Sequence, residues 1–297
     1  MKRLGALEAG GTKMVLAVFS PSGDMLDRLT LPTRTPADTM PEMIGYFASK
    51  QIDALGIGCF GPLDLNPASP SFGSITMTPK LPWRMYPIVS AFREALHVPV
   101  SLDTDVNGAA LAESRLGAAK GLDSCLYVTI GTGIGGGLVI GGRCVHGLMH
   151  PELGHQLVSP RDDDPSPRGF CPYHASCLEG LASGPAMEKR WGMSSRDLPD
   201  DHVGWAIEAD YLAQMCHNAM MSFSPEKIIL GGGVMQKDFL FPMIRRRTLE
   251  LLAGYISSPA VDRGLEDYIV PPGLDTLSGI TGAYLLALDA LGDAARG

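Results

Sequence analysis

Cys171-Pro-Tyr-His174-Ala-Ser-Cys177 spaces three sulfur or nitrogen donors two residues apart, and Glu152-Leu-Gly-His155 supplies a fourth donor a loop earlier. Two Cys and two His form a tetrahedral set with no position left open, the donor set of a structural zinc rather than a catalytic one. The alternative is two buried thiols beside unrelated histidines. Against it stands the polar loop Pro160 to Pro172, which contains Asp162-Asp163-Asp164 and has no apolar core of its own. A metal at its ends would supply the missing folding energy. Glu152 and Glu179 flank this loop, where they could accept hydrogen bonds from a polyol, although loop glutamates are most often simply solvated.

Two turns are rich in glycine. Glu8-Ala-Gly10-Gly11-Thr12-Lys13 joins two short apolar runs, and Gly131-Thr132-Gly133-Ile-Gly-Gly136 joins Cys125–Ile130 to Leu138–Ile140. Strand, glycine turn and strand thus occur twice, which predicts two related halves. The second turn spells G-x-G-x-x-G but opens a strand, where a dinucleotide fingerprint must open a helix. The first lacks the spacing of a P-loop and also leads into a strand. Each turn still offers peptide N–H groups and a Thr hydroxyl to an anion. One such turn is commonly a tight hairpin and no more, whereas two facing each other make a clamp for a polyphosphate.

Val98-Pro-Val-Ser-Leu-Asp103-Thr104-Asp105-Val-Asn107 is a strand that breaks into an alanine-rich helix. One of Asp103, Thr104 and Asp105 is expected to cap that helix. A carboxylate at such a junction also stands at the end of the sheet. Phosphoryl transfer to an alcohol needs one carboxylate to orient and deprotonate the hydroxyl, and Asp105 meets that need if a substrate cleft lies beside it.

The elements that must position these groups follow an α/β pattern. Ile52–Phe60, Val98–Leu102 and Lys227–Leu230 read as buried strands, while Met40–Lys50, Ile88–Leu96, Val203–Phe223, Phe241–Tyr255 and Leu277–Leu291 carry helical spacing. Small residues Gly279, Gly282 and Ala283 line one side of the last helix, the mark of close packing. Residues 66–87 are too proline-rich for regular elements and need an outside reason to be ordered. A length of 297 residues suits two domains. The net charge of −8 argues against nucleic acid or an anionic membrane as partner. Six cysteines in so long a chain are no disulfide framework, and Cys59, Cys125, Cys144 and Cys216 sit among apolar or small residues. The uncharged run Ser124–Gly142 is too glycine-rich for a membrane helix, and the apolar run after Lys2-Arg3 is too short for a signal peptide, which predicts the cytoplasm.

Glu8–Lys13, Thr104-Asp105-Val-Asn107, Gly131–Gly136, Glu152-x-Gly-His155 with the Cys/His cluster, and Gly231-Gly232-Gly233-Val234 occur in the order seen in the ROK sugar kinases. The chain resembles that family over essentially its whole length. Gly58-Cys-Phe-Gly-Pro-Leu-Asp64, Thr78-Pro-Lys-Leu-Pro-Trp83 and Cys171-Pro-Tyr-His174 are similar to its bacterial zinc-containing fructokinases. The resemblance implies an actin/hexokinase-like, ribonuclease H-like α/β fold of two domains with duplicated sheets and a cleft between them. Residues 1–117, completed by a C-terminal helix over 280–297, would form one domain and residues 118–279 the other. It also implies ATP, Mg2+ and a structural Zn2+ as cofactors, a hexose as substrate and, as often in the family, a homodimer.

By the same resemblance, Gly10, Gly11, Thr12 and Lys13 form the first phosphate turn, with Glu8 at Mg2+ or its water, and Thr132 with Gly133 form the second. Gly231, Gly232, Gly233 and Pro185 border the nucleoside. Asp105 is the base, Thr104, Glu152, His155 and Glu179 lie at the sugar, and His155 also binds zinc with Cys171, His174 and Cys177. Two residues depart from the usual pattern: Glu8 replaces an Asp, one methylene shorter, and Thr104 replaces an Asn, removing an amide donor. The expected reaction is ATP-dependent phosphorylation of D-fructose at its 6-hydroxyl. A mannose, glucose or broad-range hexokinase is the alternative of the same class. A sugar-responsive regulator would need a helix-turn-helix before the first turn, and a non-catalytic sugar-binding protein would be expected to lack Asp105 or a phosphate turn.

Overall fold

The computed structural model describes residues 2–294. It comprises two compact units, Met1–Ala112 with Cys144–Pro151 and Leu277–Gly297, and Glu113–Arg143 with Glu152–Thr276.

In the first unit β1 (Leu4–Ala9), β2 (Lys13–Phe19) and β3 (Met25–Pro32) form an antiparallel meander. Helix α1 (Pro36–Lys50) leads to β4 (Ala54–Cys59), parallel to β1, and α2 (Ile88–Leu96) leads to β5 (Val100–Thr104), parallel to β4. The strand order is β3-β2-β1-β4-β5. β1 and β4 are apolar and buried along almost their whole length, as strands covered on both faces must be. β3, with Asp27 and Arg28, is a half-exposed edge strand whose charges hide it from a search for apolar runs. Helix α1 starts at Pro36, ahead of the expected Met40, because its signal is a cap: Thr35 accepts from Asp38 N–H and proline occupies the first turn. Helix α3 (Asp105–Arg115) begins where β5 ends.

The proline-rich segment after β4 is ordered by Trp83. Its buried ring packs edge-on against Phe60 and Tyr86, with centroids 6.0 and 5.5 Å away, and its indole N–H donates to Arg34 O at 2.6 Å. These contacts are the outside reason for order that the prolines demand.

In the second unit β6 (Ser124–Ile130), β7 (Ile134–Ile140) and β8 (Arg143–Cys144) make the next meander, followed by α4 (Leu178–Ala182), α5 (Gly184–Trp191), α6 (Gly204–Ser222), β9 (Ile228–Gly231), α7 (Leu240–Leu252), α8 (Pro259–Asp262) and β10 (Ile269–Val270). The order β8-β7-β6-β9-β10 repeats that of the first sheet strand for strand, with β9 parallel to β6 and β10 parallel to β9. The duplicated, mixed α/β sheets expected from the repeated glycine hairpins are present.

Helix α9 (Ser278–Ala294) lies across β1 and β4 of the first unit; the expected helical residues 295–297 lie outside the described residues. Its small-residue side is a packing surface. A Cβ on Gly56 would overlap Ala283 O, one on Gly282 would overlap Gly108, and one on Gly279 would lie 2.6 Å from the Glu8 carboxyl carbon. All six cysteines are free, and among the described residues no helix is long and apolar enough to cross a membrane. Gly56→Ala is expected to destabilise the protein by about 3 kcal/mol or more, since backbone cannot move aside as a side chain can. Urea unfolding with a wild-type midpoint would contradict this packing.

Candidate active site

Strand register decides what leaves each sheet together. Ala9 pairs with Cys59 and Cys59 with Thr104, so the next residues, Gly10, Phe60 and Asp105, emerge side by side at the carboxyl edge of the first sheet. That edge is where open α/β sheets bind ligands. The first turn closes through Gly10 N–H to Lys13 O at 3.0 Å, and Thr33 ties down the carbonyls of Gly10 and Thr12. Among the described residues nothing accepts from the N–H groups of Gly11 and Thr12.

At the head of α3 the three candidate caps divide the work. Thr104 Oγ1 accepts from Asn107 N–H at 3.1 Å, and Asp103 Oδ1 accepts from Thr104 N–H and from Asn107 Nδ2. Asp105 spends one oxygen on Val106 N–H at 2.9 Å. Burial pushes Asp105 up to about 6 against that hydrogen bond. Burial first, and then the charge of Asp105, push Glu8 up to about 7, while Lys13 and Arg28 pull the other way.

Two histidines that were not singled out from the sequence belong to this unit. His146 Nε2 lies 3.0 Å from Asp103 Oδ2, whose hydrogen bond raises the imidazole above its ordinary range. His150 is buried, accepts from Leu63 N–H through Nε2 at 3.0 Å, and is lowered by that burial. Their signal was a spacing of four residues just ahead of Glu152.

In the second unit Thr132 and Gly133 occupy a turn closed by Gly131 N–H to Gly133 O at 2.9 Å, again with no acceptor for the Thr132 and Gly133 amides among the described residues. Gly131 O accepts from Gly184 N–H at 2.8 Å, which sets the start of α5, with Ser183 as cap and Pro185 in its first turn, against the glycine turn. Gly232 has φ +93°, and a Cβ there would overlap Ile130 at the end of β6; Gly233 and Gly131 face open space. The second turn, Pro185 and Gly231 to Gly233 are thus brought together.

Glu179 sits among them differently from the expectation of a sugar contact alone. Its Oε2 accepts from Ile134 N–H at 2.9 Å, and a Cβ on Gly133 would lie 2.6 Å from that oxygen. Its Oε1 lies 3.9 Å from His155 Nε2. Glu152 and His155 bracket one helical turn, and the Gly154 between them is obligatory because a Cβ would overlap Ile134 O.

The donor atoms of His155, Cys171, His174 and Cys177 all lie within 4.8 Å of one another. Cys171 Sγ is 3.9 Å from His155 Nδ1 and 3.8 Å from His174 Nδ1, and Cys177 Sγ is 3.8 Å from His155 Nδ1. Zinc at the usual bond lengths in a tetrahedron sets sulfur and nitrogen about 3.6 Å apart, so these three pairs need to close by only tenths of an ångström. Tyr173 N–H points to Cys171 Sγ at 3.5 Å and Gly180 N–H to Cys177 Sγ at 3.4 Å, donors that suit thiolate ligands. The residues present fit a structural zinc. The loop before Cys171 has a second anchor, unforeseen from sequence: buried Asp164 accepts from Tyr211 OH at 2.6 Å and pairs with buried Arg190 at 2.8 Å.

A family model, the ROK family, matches residues 4–290. The chain belongs to the ROK family. A fructokinase of Pediococcus pentosaceus is 46% identical over 98% of this chain and 99% of its own length. A fructokinase of Zymomonas mobilis is 42% identical over 97% of each chain. The crystal structure of a ROK hexokinase from Thermus thermophilus superposes with a TM-score of 0.77 at 28% identity, covering 98% of this chain and 99% of that one.

In this ROK chain the Glu179 carboxylate stands between His155 of the Cys/His cluster and the second glycine turn. Gly133→Ala must push that carboxylate off Ile134 N–H, so the Ile134 amide is expected to exchange with deuterium markedly faster in Gly133→Ala and in Glu179→Gln. Unchanged protection in both variants would contradict the link.

Proposed function

We propose that this ROK protein is an ATP-dependent fructokinase that transfers the γ-phosphoryl group of Mg-ATP to the 6-hydroxyl of D-fructose. The observation that carries the reading is Asp105: a carboxylate at the sheet edge beside an amide-lined turn, with one oxygen anchored on Val106 N–H. Its second oxygen orients the sugar hydroxyl and takes its proton as the hydroxyl oxygen attacks the γ-phosphorus. The bond from that phosphorus to the β–γ bridging oxygen breaks, and ADP leaves. A base held at about 6 is ionised at neutral pH yet still basic enough to accept a proton in the transition state.

Each glycine turn is suited to phosphate oxygens without a basic surface, the first through the free amides of Gly11 and Thr12 and the second through those of Thr132 and Gly133. Glu8, half-buried with Asp105's charge nearby, is the carboxylate suited to Mg2+ or its water, and the ion when bound would neutralise phosphate charge. Pro185 with Gly231, Gly232 and Gly233 borders the nucleoside. Thr104, Glu152, His155 and Glu179 serve the sugar, with His155 Nε2 turned to Glu179 while Nδ1 faces the thiols. Thr104 contributes a hydroxyl already engaged in capping α3, so the hexose meets no amide there. The identity to proteins named fructokinase supports fructose over glucose or mannose as acceptor. We assign the protein to the cytoplasm, where ATP is supplied.

Asp105→Asn is expected to lower kcat by about 10²–10⁴-fold while leaving the fold as stable as before, since it removes a charge whose burial is unfavourable. Near-normal turnover would overturn the assignment. Because the folded pKa is raised, the base is lost as pH falls through about 6 rather than near the ordinary Asp value of about 4. The acid limb of kcat/KM should therefore fall near pH 6, measured with MgATP saturating. Metal analysis is expected to find about one zinc per chain, the number a Cys2His2 set holds. Its removal should raise KM for fructose through the His155–Glu179 link, and a zinc-free protein with unchanged fructose affinity would sever that connection.

A further inference from the structure

The segment that follows β4 carries a cation to the first glycine turn. Lys80 is half-buried, and its Cε and Nζ lie 3.1 and 3.7 Å from where a Cβ on Gly11 would stand. Its Nζ is 5.9 Å from the centre of the Phe60 ring. Both supports are fixed by backbone. Lys80 O accepts from Trp83 N–H at 2.8 Å, Lys80 N–H donates to Thr78 Oγ1 at 3.3 Å, and Phe60 N–H donates to Ala9 O at 2.9 Å.

Two other lysines have carboxylate partners: Lys50 pairs with Asp27, and Lys237 with Asp200 at 2.6 Å. Among the described residues no carboxylate lies within ion-pair distance of Lys80. A partly desolvated ammonium without a counter-ion is unfavourable unless an anion joins it. Here it stands beside two backbone amides, those of Gly11 and Thr12, that also lack acceptors. The lysine stem and ammonium lie over the face of the turn where Gly11 carries no side chain.

We propose that Lys80 contacts the phosphoryl group in transit, on an oxygen of the γ-phosphate of ATP before transfer and of the sugar phosphate after it. The inference rests on the phosphotransfer reading above and adds a residue to it. An ammonium on a flexible stem is a point charge that can follow the phosphorus along the reaction path. Charge on the three equatorial oxygens persists through a loose transition state, so the contact acts on kcat more than on nucleotide binding. ADP, which lacks that group, does not engage it.

Lys80→Met keeps the apolar stem over Phe60 and removes the charge; Lys80→Gln is the second variant should the first fold poorly. Expected are a fall in kcat of about 10²-fold, an ADP affinity by calorimetry equal to wild type, an unchanged melting temperature, and partial recovery in Lys80→Arg. Wild-type kcat in Lys80→Met, or loss of ADP affinity in parallel with that for ATP, would overturn the assignment. Should the wild-type protein phosphorylate no hexose, the fructokinase reading fails separately. Lys80 is then judged by binding alone: its removal must erase any preference for the non-hydrolysable analogue AMP-PNP over ADP, and a preference left intact would refute it.

Discussion

The parallel register of β1, β4 and β5 is the constraint on which the first unit depends. Backbone hydrogen bonds hold Ala9, Cys59 and Thr104 in one row, so that Gly10, Phe60 and Asp105 leave the sheet side by side. A slip of one residue on any strand would turn Asp105 or the glycine turn to the other face of the sheet. Close packing of α9 protects that register. Gly56 lets the helix backbone approach β4, and Gly279 makes room for the Glu8 carboxylate at the same edge. Stability and chemistry thus draw on the same contacts.

The second unit repeats the strand order but spends its glycines differently. Gly232 is there for a left-handed turn against Ile130, Gly154 for a turn against β7, and Gly133 to admit a carboxylate. Glu179 is hydrogen-bonded to the second glycine turn through Ile134 N–H and lies 3.9 Å from His155 of the Cys/His cluster, so the turn and the cluster share one carboxylate neighbour.

Much of this was legible in the sequence because glycine and metal-ligand spacing are local signals. The paired hairpins foretold the duplicated sheets, and C-x2-H-x2-C with His155 foretold a donor cluster that does assemble. What stayed hidden was set by tertiary contact. Asp103 gave no sign that His146 would find it, Asp164 none that it would be buried on Arg190, and Lys80 none that a tryptophan anchor would lay it over Gly11. Glu179 was expected at the sugar from its place by the zinc loop, but its bond to Ile134 depends on the depth of the β6–β7 turn, which spacing does not encode. The charged edge strand β3 escaped for the opposite reason, since its alternation carries little apolar signal.

The most direct measurement is an ATP-coupled assay across fructose, mannose, glucose and the N-acetylated amino sugars, with the phosphorylated product identified. Fructose is predicted to give the highest kcat/KM, with one ADP formed per fructose 6-phosphate and kcat lowered at least about 10²-fold in Asp105→Asn. ADP release independent of any sugar, or a clear preference for glucose over fructose, would contradict the proposed function.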